Sequence, residues 1–571
     1  MKIKLLLLPA IILILASKAF SQFERETRAV WLATNYRLDW PPQTNDQERQ
    51  KRALIDIFDN IKSKNLNTIY FQVESNGTVL FKSSYEPFSS YITGAINGRA
   101  IYDPLQFAIE QAHKRGLEIH AWVNVFRCSD DMDNNTTLNP SHISQRKPEW
   151  MIEDLRDGHK NLWLDPGLPE VREYISDWIE EMVKNYDIDG VHLDYTRYPG
   201  KNFDDDFSYS VHGGGISRDD WRRNNITSFI ELLNGKIRAV KHFVKIGIAP
   251  IGIYKNQKGI KGWEGYTEVY QDSRDWLKKG LIDYVAPQTY WGIEDNPRFD
   301  VLAKDWAENS AGRSVVLGIA AYKDNVKRDI ERMIKYARSI KADGVAFYRY
   351  SNIKDCDFDS FSYKAYPAAM AWLDGVYPQP PADLTIQKKD PNQNVFTLNW
   401  EINKENKSND STRYFALYNL PRANSELLQD YLFELIPADK SSISFVIDKP
   451  KRVNYYFTLK SVSKLWIESV EAANVVEIKF PELSSIAQCG FKSNKPVYVK
   501  GVNKNASTII LYSDEKEKIE LIGDKGGTKD ILLSENISQG INILSVKKDL
   551  SFYYSVKVLF KSSKKAVELK L

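Results

Sequence analysis

The chain has 571 residues, and its 78 basic and 75 acidic side chains leave a net charge of +3. That length calls for two or more domains, and charge spread this evenly excludes a nucleic-acid-binding stripe. The three cysteines, Cys128, Cys356 and Cys489, are too few and too far apart for a disulfide framework or a metal-ligand spacing; they read as buried free thiols, and no metal or other cofactor is expected.

Residues 1–21 join a basic start (Lys2, Lys4) to an apolar run from Leu5 to Ala16 and small residues at Ala19 and Ser21. This is the pattern of a signal peptide cleaved before Gln22, with a retained N-terminal anchor as the alternative. No cysteine stands at the cleavage point to carry a bacterial lipid anchor, and no later apolar run is long enough to span a bilayer. The mature chain is therefore expected to be exported, to the periplasm, the cell surface or the medium.

From residue 22 to about 378, short apolar, β-branched or aromatic runs alternate with amphipathic stretches of helical length. Eight runs read as strands: TRAVWLAT, TIYFQVES, EIHAWVNVF, GVHLDYTRY, KIGIAPIGIY, YVAPQTYW, SVVLGIAAY and GVAFYRYSN. Eight strand-then-helix units predict a (β/α)8 barrel of the α/β class. A doubly wound open sheet is the alternative, but no Gly-rich phosphate loop follows the first strand.

A Pro-rich linker, GVYPQPPADLTI, ends this region. Beyond it, 379–478 is strand-like, and Trp400 with a late Tyr455-Tyr456 strand resembles a fibronectin type III sandwich, usually a spacer. Residues 479–571 alternate apolar and polar side chains and predict a second small β-sandwich. Glycan binding, packing on the barrel or simple extension are all open to it.

A barrel enzyme works at the C-terminal ends of its strands. In strand two, Ile69, Phe71 and Val73 face the helices, and Tyr70, Gln72 and Glu74 face inward. Strand three turns His120, Trp122 and Asn124 inward, strand four His192 and Asp194, and strand six offers Gln288 and Tyr290 on one face. Polar residues from four strands thus converge on one end, with Tyr348 in the last strand. Twelve of the fourteen tryptophans precede the linker. Trp40, Trp263 and Trp291 fall in or beside strand-to-helix loops, either as stacking faces for sugar rings or as structural plugs, whereas Trp178, Trp221, Trp276 and Trp306 read as packing.

A glycosidase needs a protonated carboxyl group and usually a second carboxylate. Asp194 is the first candidate, because strand position, burial and His192 would all shift its pKa. Arg197 would pair with it, bind substrate or form a rim ion pair. Glu74 and Glu268 are candidates for the second carboxylate, with Glu264 beside them; each has a solvated loop charge as its alternative. Asp165 reads as a helix cap, with Pro166 just inside the helix, and Asp204, Asp205 and Asp206 read as solvated surface.

The stretches ETRAVWLATNYRLDWPP, NTIYFQVESNG, YDPLQFAIEQAHKRGLEIHAWVN, WLDPGLPEVREY, DGVHLDYTRYP and YQDSRDWLKKGLIDYVAPQTYW resemble, in order, the bacterial secreted glycosyl-hydrolase-like barrels described as family-10-like. The resemblance covers nearly the whole barrel and none of the β domains. It implies a TIM barrel that cleaves peptidoglycan glycan strands, especially those stripped of stem peptides, and it carries over Asp194, Asn124, Gln288, Tyr290, Trp291 and Glu268. At Glu74 such relatives often have a basic residue. Asp189, His192 and Asp194 also resemble the D-G-x-D-x-D-x-E strand of chitinases, but Thr196 stands where that motif keeps its acid, which disfavours the chitinase mechanism.

The expectation is a secreted glycoside hydrolase acting on an amino-sugar glycan, most simply peptidoglycan. Asp194 would be its essential carboxylate, with Glu268 or Glu74 as partner. Asn124, His192, Arg197, Gln288, Tyr290, Trp291 and Tyr348 would contact substrate. Another extracellular polysaccharide, or a barrel that binds glycan without cleaving it, are the alternatives. The expected partner is the glycan, with no nucleic acid and no membrane span in the mature chain.

Overall fold

A computed structural model describes residues 25–130, 136–156, 158–370, 372–373, 377–390, 393–402, 412–447, 450, 452–480, 497–503, 506–513, 517–524, 529–537, 540–546, 555–561 and 566–570. The signal-peptide stretch and Cys489 lie outside these residues.

Eight parallel strands close into a barrel: β1 (Thr27–Leu32), β2 (Thr68–Ser75), β3 (Glu118–Asn124), β4 (Gly190–Asp194), β5 (Lys245–Ile248), β6 (Tyr284–Val285), β7 (Ser314–Ile319) and β8 (Gly344–Phe347). Each pairs with the next, and β8 pairs with β1 to complete the ring. Helices follow the strands in turn: α1 (Gln47–Ser63), α2 (Pro104–His113), α3 (Pro169–Asn185), α4 (Arg218–Val240), α5 (Ser273–Lys278), α6 (Phe299–Glu308), α7 (Asp324–Ser339) and the short α8 (Tyr350–Ile353). Four of them, α1, α2, α4 and α5, start at a short polar side chain that caps the helix. Asp46 accepts from the N–H groups of Glu48 and Arg49, Asp103 from Gln106 behind Pro104, and Ser217 from Asp220. In α1, Leu54, Ile57, Phe58 and Ile61 recur at helical spacing and bury against the strands.

The period of two predicted from the sequence holds along the barrel strands. Ile69, Phe71, Val73, Ile119, Ala121, Val123, Val191 and Leu193 join the core between strands and helices. The barrel axis is filled instead by Trp31, Tyr70, Trp122 and Tyr284 among small residues such as Ala29, Ala249, Ala286 and Ala346. Two glycines make that filling possible: a Cβ on Gly247 would stand 1.9 Å from the Tyr284 ring, and one on Gly190 would stand 2.7 Å from the His120 ring.

Polar groups inside this core form a chain. Trp31 Nε1 donates to His192 Nε2 at 2.9 Å, so the His192 proton sits on Nδ1, which meets the Tyr284 hydroxyl at 2.9 Å. Tyr284 in turn meets His120 Nδ1 at 2.7 Å, and His120 Nε2 reaches Glu118 Oε2 at 3.2 Å. Burial, reinforced by His120, pushes the His192 pKa well down, which agrees with a neutral ring. Burial opposes the charge on Glu118, but Lys245 and His120 outweigh it and hold its carboxyl below the ordinary value.

Glu118 also accepts from Trp466 Nε1 at 2.6 Å, and Trp466 belongs to the first β unit. That unit packs a three-stranded antiparallel sheet (Ala382–Asp390, Gln393–Glu401, Ser442–Val446) on a four-stranded one (Leu432–Pro437, Thr412–Leu420, Asn454–Ser463, Val476–Lys479). Phe415 and Leu417 point between the sheets, while Tyr414, Ala416 and Tyr418 point the other way, toward Tyr366 at the barrel base. Arg413 fastens the contact through Asp187 at 2.7 Å and Asp189 at 3.4 Å. Glu118 and Lys245 open their strands, so this unit covers the N-terminal end of the barrel, opposite the working face. Strands between 497 and 570 form two further antiparallel sheets around a core of residues such as Ile519, Leu521, Val546 and Val558.

Three expectations change. Of the aspartates expected on the surface, Asp205 is buried and takes two hydrogen bonds from Arg222, at 2.7 and 2.6 Å. Asp165 binds the Gly167 N–H at 2.8 Å, one turn ahead of α3, which begins with Pro169 after Leu168. Cys128 is a buried free thiol as expected, whereas Cys356 is only partly buried.

Candidate active site

A cleft of about 390 Å³ opens at the C-terminal ends of the strands, lined among others by Trp31, Asp194, Arg197, Gln288, Tyr290 and Tyr348. Asp194 ends β4 and is 8% exposed. Its Oδ1 accepts the Tyr195 N–H at 2.7 Å and Gln288 Nε2 at 3.3 Å, and the Trp122 indole also supports the carboxylate. Burial pushes its pKa up, partly offset by Arg197, the Tyr195 N–H and Arg127. Among the described residues it is the one carboxylate lining the cleft.

The chain leaves β4 through Tyr195 at φ +50°, a left-handed conformation that costs a bulky residue energy and is typical of functional sites. This turn lays the Tyr195 ring in the cleft wall and aims its N–H at Asp194. The Arg197 guanidinium lies 4.9 Å from the Tyr195 ring centre, 5.3 Å from Trp263 and 5.9 Å from Trp163. Trp263, 45% exposed, is thereby a rim residue.

Opposite, Tyr290, Tyr322 and Tyr348 form an aromatic wall. Tyr348 has ring centres 5.6 Å from Tyr290, 6.1 Å from Tyr322 and 6.0 Å from Trp31. Burial raises the pKa of all three phenols, so they stay protonated as donors at neutral pH. Leu38 and Arg349 close the remaining side.

Asp194, Arg197, Gln288, Tyr290 and Tyr348 are thus brought together, and five other candidates are not. Glu74 is buried away from the cleft. A register shift between Gln72 and Glu74 sets it beside Val123, whose side chain faces the helices, so the bulge turns the carboxyl out of the barrel. There it accepts N–H groups from Asn124 at 2.9 Å and Gly77 at 3.1 Å, and burial, then Glu86, pushes its pKa well up. Glu268 pairs with Lys201 at 2.8 Å on the surface. His192 faces inward as expected, but it lies wholly buried one layer below the cleft, in the chain from Trp31 to Glu118.

Asn124 sits level with Asp194 on the neighbouring strand, but it is buried and does not line the cleft. Trp291 packs on Ile253, Ile260 and Leu302 behind the cleft. Trp40 is a plug, its Nε1 donating to the Gln50 carbonyl at 2.9 Å. Trp31, Leu38, Tyr195, Tyr322, Arg349 and Asn352 line the cleft without having been anticipated. The strand end at Trp31 was the available signal, while the loop residues depend on how their loops fold. No cluster of His, Cys, Asp and Glu side chains suited to a metal occurs among the described residues.

A closed barrel whose strand ends gather a buried carboxyl group, phenols and guanidinium groups into one cleft has the build of a glycoside hydrolase. The chain belongs to the glycosyl hydrolase-like 10 family, whose model matches residues 26–337. It is similar to Glycosyl hydrolase YngK of Bacillus subtilis (strain 168), 32% identical over 489 residues that cover 79% of this chain and 93% of that protein. It is also similar to Glycosyl hydrolase DigH of Escherichia coli (strain K12), 37% identical over 339 residues that cover 54% of this chain and 76% of that protein. Among solved structures, the PgaB (BpsB) glycoside hydrolase domain from Bordetella bronchiseptica is similar at 16% identity and a TM-score of 0.43, over 59% of this chain and 99% of that one.

Proposed function

We propose that this glycoside hydrolase cleaves an amino-sugar glycan, peptidoglycan strands first, with Asp194 as its general acid. The observation that carries the reading is Asp194 itself: a buried carboxyl group with a raised pKa that lines an aromatic cleft. Protonated Asp194 gives its proton to the glycosidic oxygen, and the C1–O bond breaks with its electron pair on that oxygen. The anionic Asp194 then takes a proton from the water that completes hydrolysis.

Among the described residues one carboxylate lines the cleft, and on that count the second reactive oxygen comes from the substrate. The carbonyl oxygen of a 2-acetamido group stands beside C1 in amino sugars and fills the part a second carboxylate takes elsewhere. Here Asp194 itself is the acid, so the buried Thr196 is no obstacle. The phenols of Tyr290 and Tyr348 supply donors to the sugar, and the Trp31 and Tyr322 rings supply apolar faces.

Export is supported by the pattern of residues 1–21, and no helix among the described residues is long and apolar enough to cross a membrane. The three-on-four arrangement of the first β unit supports reading it as a fibronectin type III-like spacer. That count of one carboxylate among the described residues also favours a second reading, a barrel that holds glycan without cutting it. Digestion of intact and peptide-stripped peptidoglycan by the purified protein and by Asp194→Asn, with products read by mass spectrometry, separates the two. Cleavage by the wild type alone supports the proposal, equal cleavage by both removes Asp194 from it, and none by either favours another glycan or mere binding.

A further inference from the structure

Arg349 lines the cleft from the loop after β8, and its side chain is 21% exposed. All its hydrogen bonds leave from one nitrogen: Nη1 donates to Asp39 Oδ1, the Leu38 carbonyl and Ser351 Oγ, each at 2.6 Å. Asp39 is fixed in turn. Its side chain is wholly buried, Oδ1 accepts the Ser351 N–H at 2.9 Å, and Oδ2 accepts the Ala33 N–H at 2.8 Å. The guanidinium is therefore held from behind by the loops after β1 and β8. Its Nε and Nη2 make no hydrogen bond among the described residues.

We propose that Arg349 is a specificity residue whose Nε–Nη2 edge pairs with a carboxylate carried by the sugar unit in the cleft. The proposal rests on the glycosidase reading and deepens it, since it names the chemical class of substrate. Two parallel N–H groups on one edge of a guanidinium match the two oxygens of a carboxylate in a bidentate pair. A clamped guanidinium loses little freedom when it binds, so the pair discriminates more sharply than a free side chain would.

The charge balance agrees. Asp194 is the one carboxylate lining the cleft among the described residues, and its raised pKa weakens its repulsion of an incoming anion. A neutral sugar would strip water from this edge and return no acceptor. A site built for a hydrogen-bonding group rejects the analogue that lacks it. Two sources supply the chemistry: the lactyl ether acid of a muramoyl unit, which is a free carboxylate only where no peptide is attached, and the acid of a uronate unit.

The test compares kcat/KM of the purified protein on peptide-free peptidoglycan strands, on the same strands with their carboxylates converted to methylamides, and on an alternating uronate and N-acetylglucosamine polymer. The expected result is a preference for the free acid of roughly tenfold or more, collapsing toward one in Arg349→Gln and only partly kept in Arg349→Lys, which offers a point charge in place of a fork. The wild-type comparison alters the substrate alone, so it stands even if a variant folds poorly. Cleavage of the uronate polymer in place of the strands, lost in Arg349→Gln, supports the carboxylate pairing and assigns its source. Equal cleavage of free and blocked strands overturns the role of Arg349 and leaves the glycosidase reading standing. Failure on all three substrates overturns both.

Discussion

Gln288 Nε2 reaches Asp194 Oδ1 at 3.3 Å while also lying 3.3 Å from the Ala249 carbonyl. The amide belongs to the loop after β6 and the carboxyl to β4, so the contact bridges the end of β5 and ties the acid to the next strand but one. A donor shared in this way supports the charged carboxylate only weakly, and burial keeps the upper hand over its pKa.

Asp194→Asn follows directly. Removal of a general acid costs on the order of 10²- to 10⁴-fold in kcat. The sign of the stability change is opposite. A carboxyl group whose folded pKa is raised contributes stability below its unfolded pKa and loses it as pH rises through the folded value, so at neutral and alkaline pH the wild type carries the burden of a buried charge. Asn carries none. The variant is expected to melt higher than the wild type at pH 8, with the difference shrinking as pH falls; a lower melting temperature at pH 8 would contradict the raised pKa.

Glu74→Gln and Glu268→Gln separate a buried framework carboxyl from a surface charge. Glu74 uses both oxygens to hold the N–H groups of Gly77 and Asn124, and glutamine has only one acceptor to offer. Its loss is expected to cost about 1–3 kcal/mol of stability in denaturant titrations, with a smaller drop in kcat than Asp194→Asn gives. Glu268→Gln breaks an exposed pair and should change stability by less than about 1 kcal/mol. If Glu268→Gln abolished cleavage, the site drawn around Asp194 would be wrong.

Glu86 sets a slope in stability against pH. Burial, opposed only in part by Tyr174 and Arg146, pushes its pKa up to about 8. Its contribution is therefore complete below the ordinary carboxyl range and fades as pH rises toward 8, by roughly 1.4 kcal/mol per pH unit in that window. Glu86→Gln should flatten the fall in unfolding free energy between pH 5 and 8. An unchanged slope would place the titration elsewhere.

His192→Phe tests the layer beneath the cleft. The ring volume is roughly kept, but the Trp31 indole N–H loses its acceptor at a fully buried site, a loss worth about 1–3 kcal/mol. Because Trp31 also lines the cleft, KM should rise along with the loss of stability. A stable variant with unchanged KM would show that the indole needs no such anchor.

How far the site was legible depended on which property each residue expressed. Val191 and Leu193 alternate with His192 and Asp194, and that period of two correctly sent Asp194 to the barrel mouth. The same rule misplaced Glu74, because one extra residue in a strand is invisible until the partner strand's register is known. It turned His192 inward correctly yet could not give depth, since alternation assigns a side without assigning a layer. Tyr195 and Arg349 were illegible for other reasons: one depends on a single positive φ, the other on a carboxylate some 310 positions away in the chain. Trp291 looked like a stacking face because its loop was known and its packing partners were not.

The chain from Trp31 through His192, Tyr284 and His120 has every donor directed toward Glu118, and each hydrogen bond along it already has its acceptor. The row ends at the Trp31 indole, a very weak acid, and among the described residues no hydrogen bond joins it to Asp194. The barrel axis is thus an insulating plug, and Asp194 recovers its proton only from the mouth of the cleft. Solvent must reach that mouth once in every catalytic cycle, so the long polymer that the cleft grips must also be loosened once in every cycle, which ties the pace of recharging to the pace of product release.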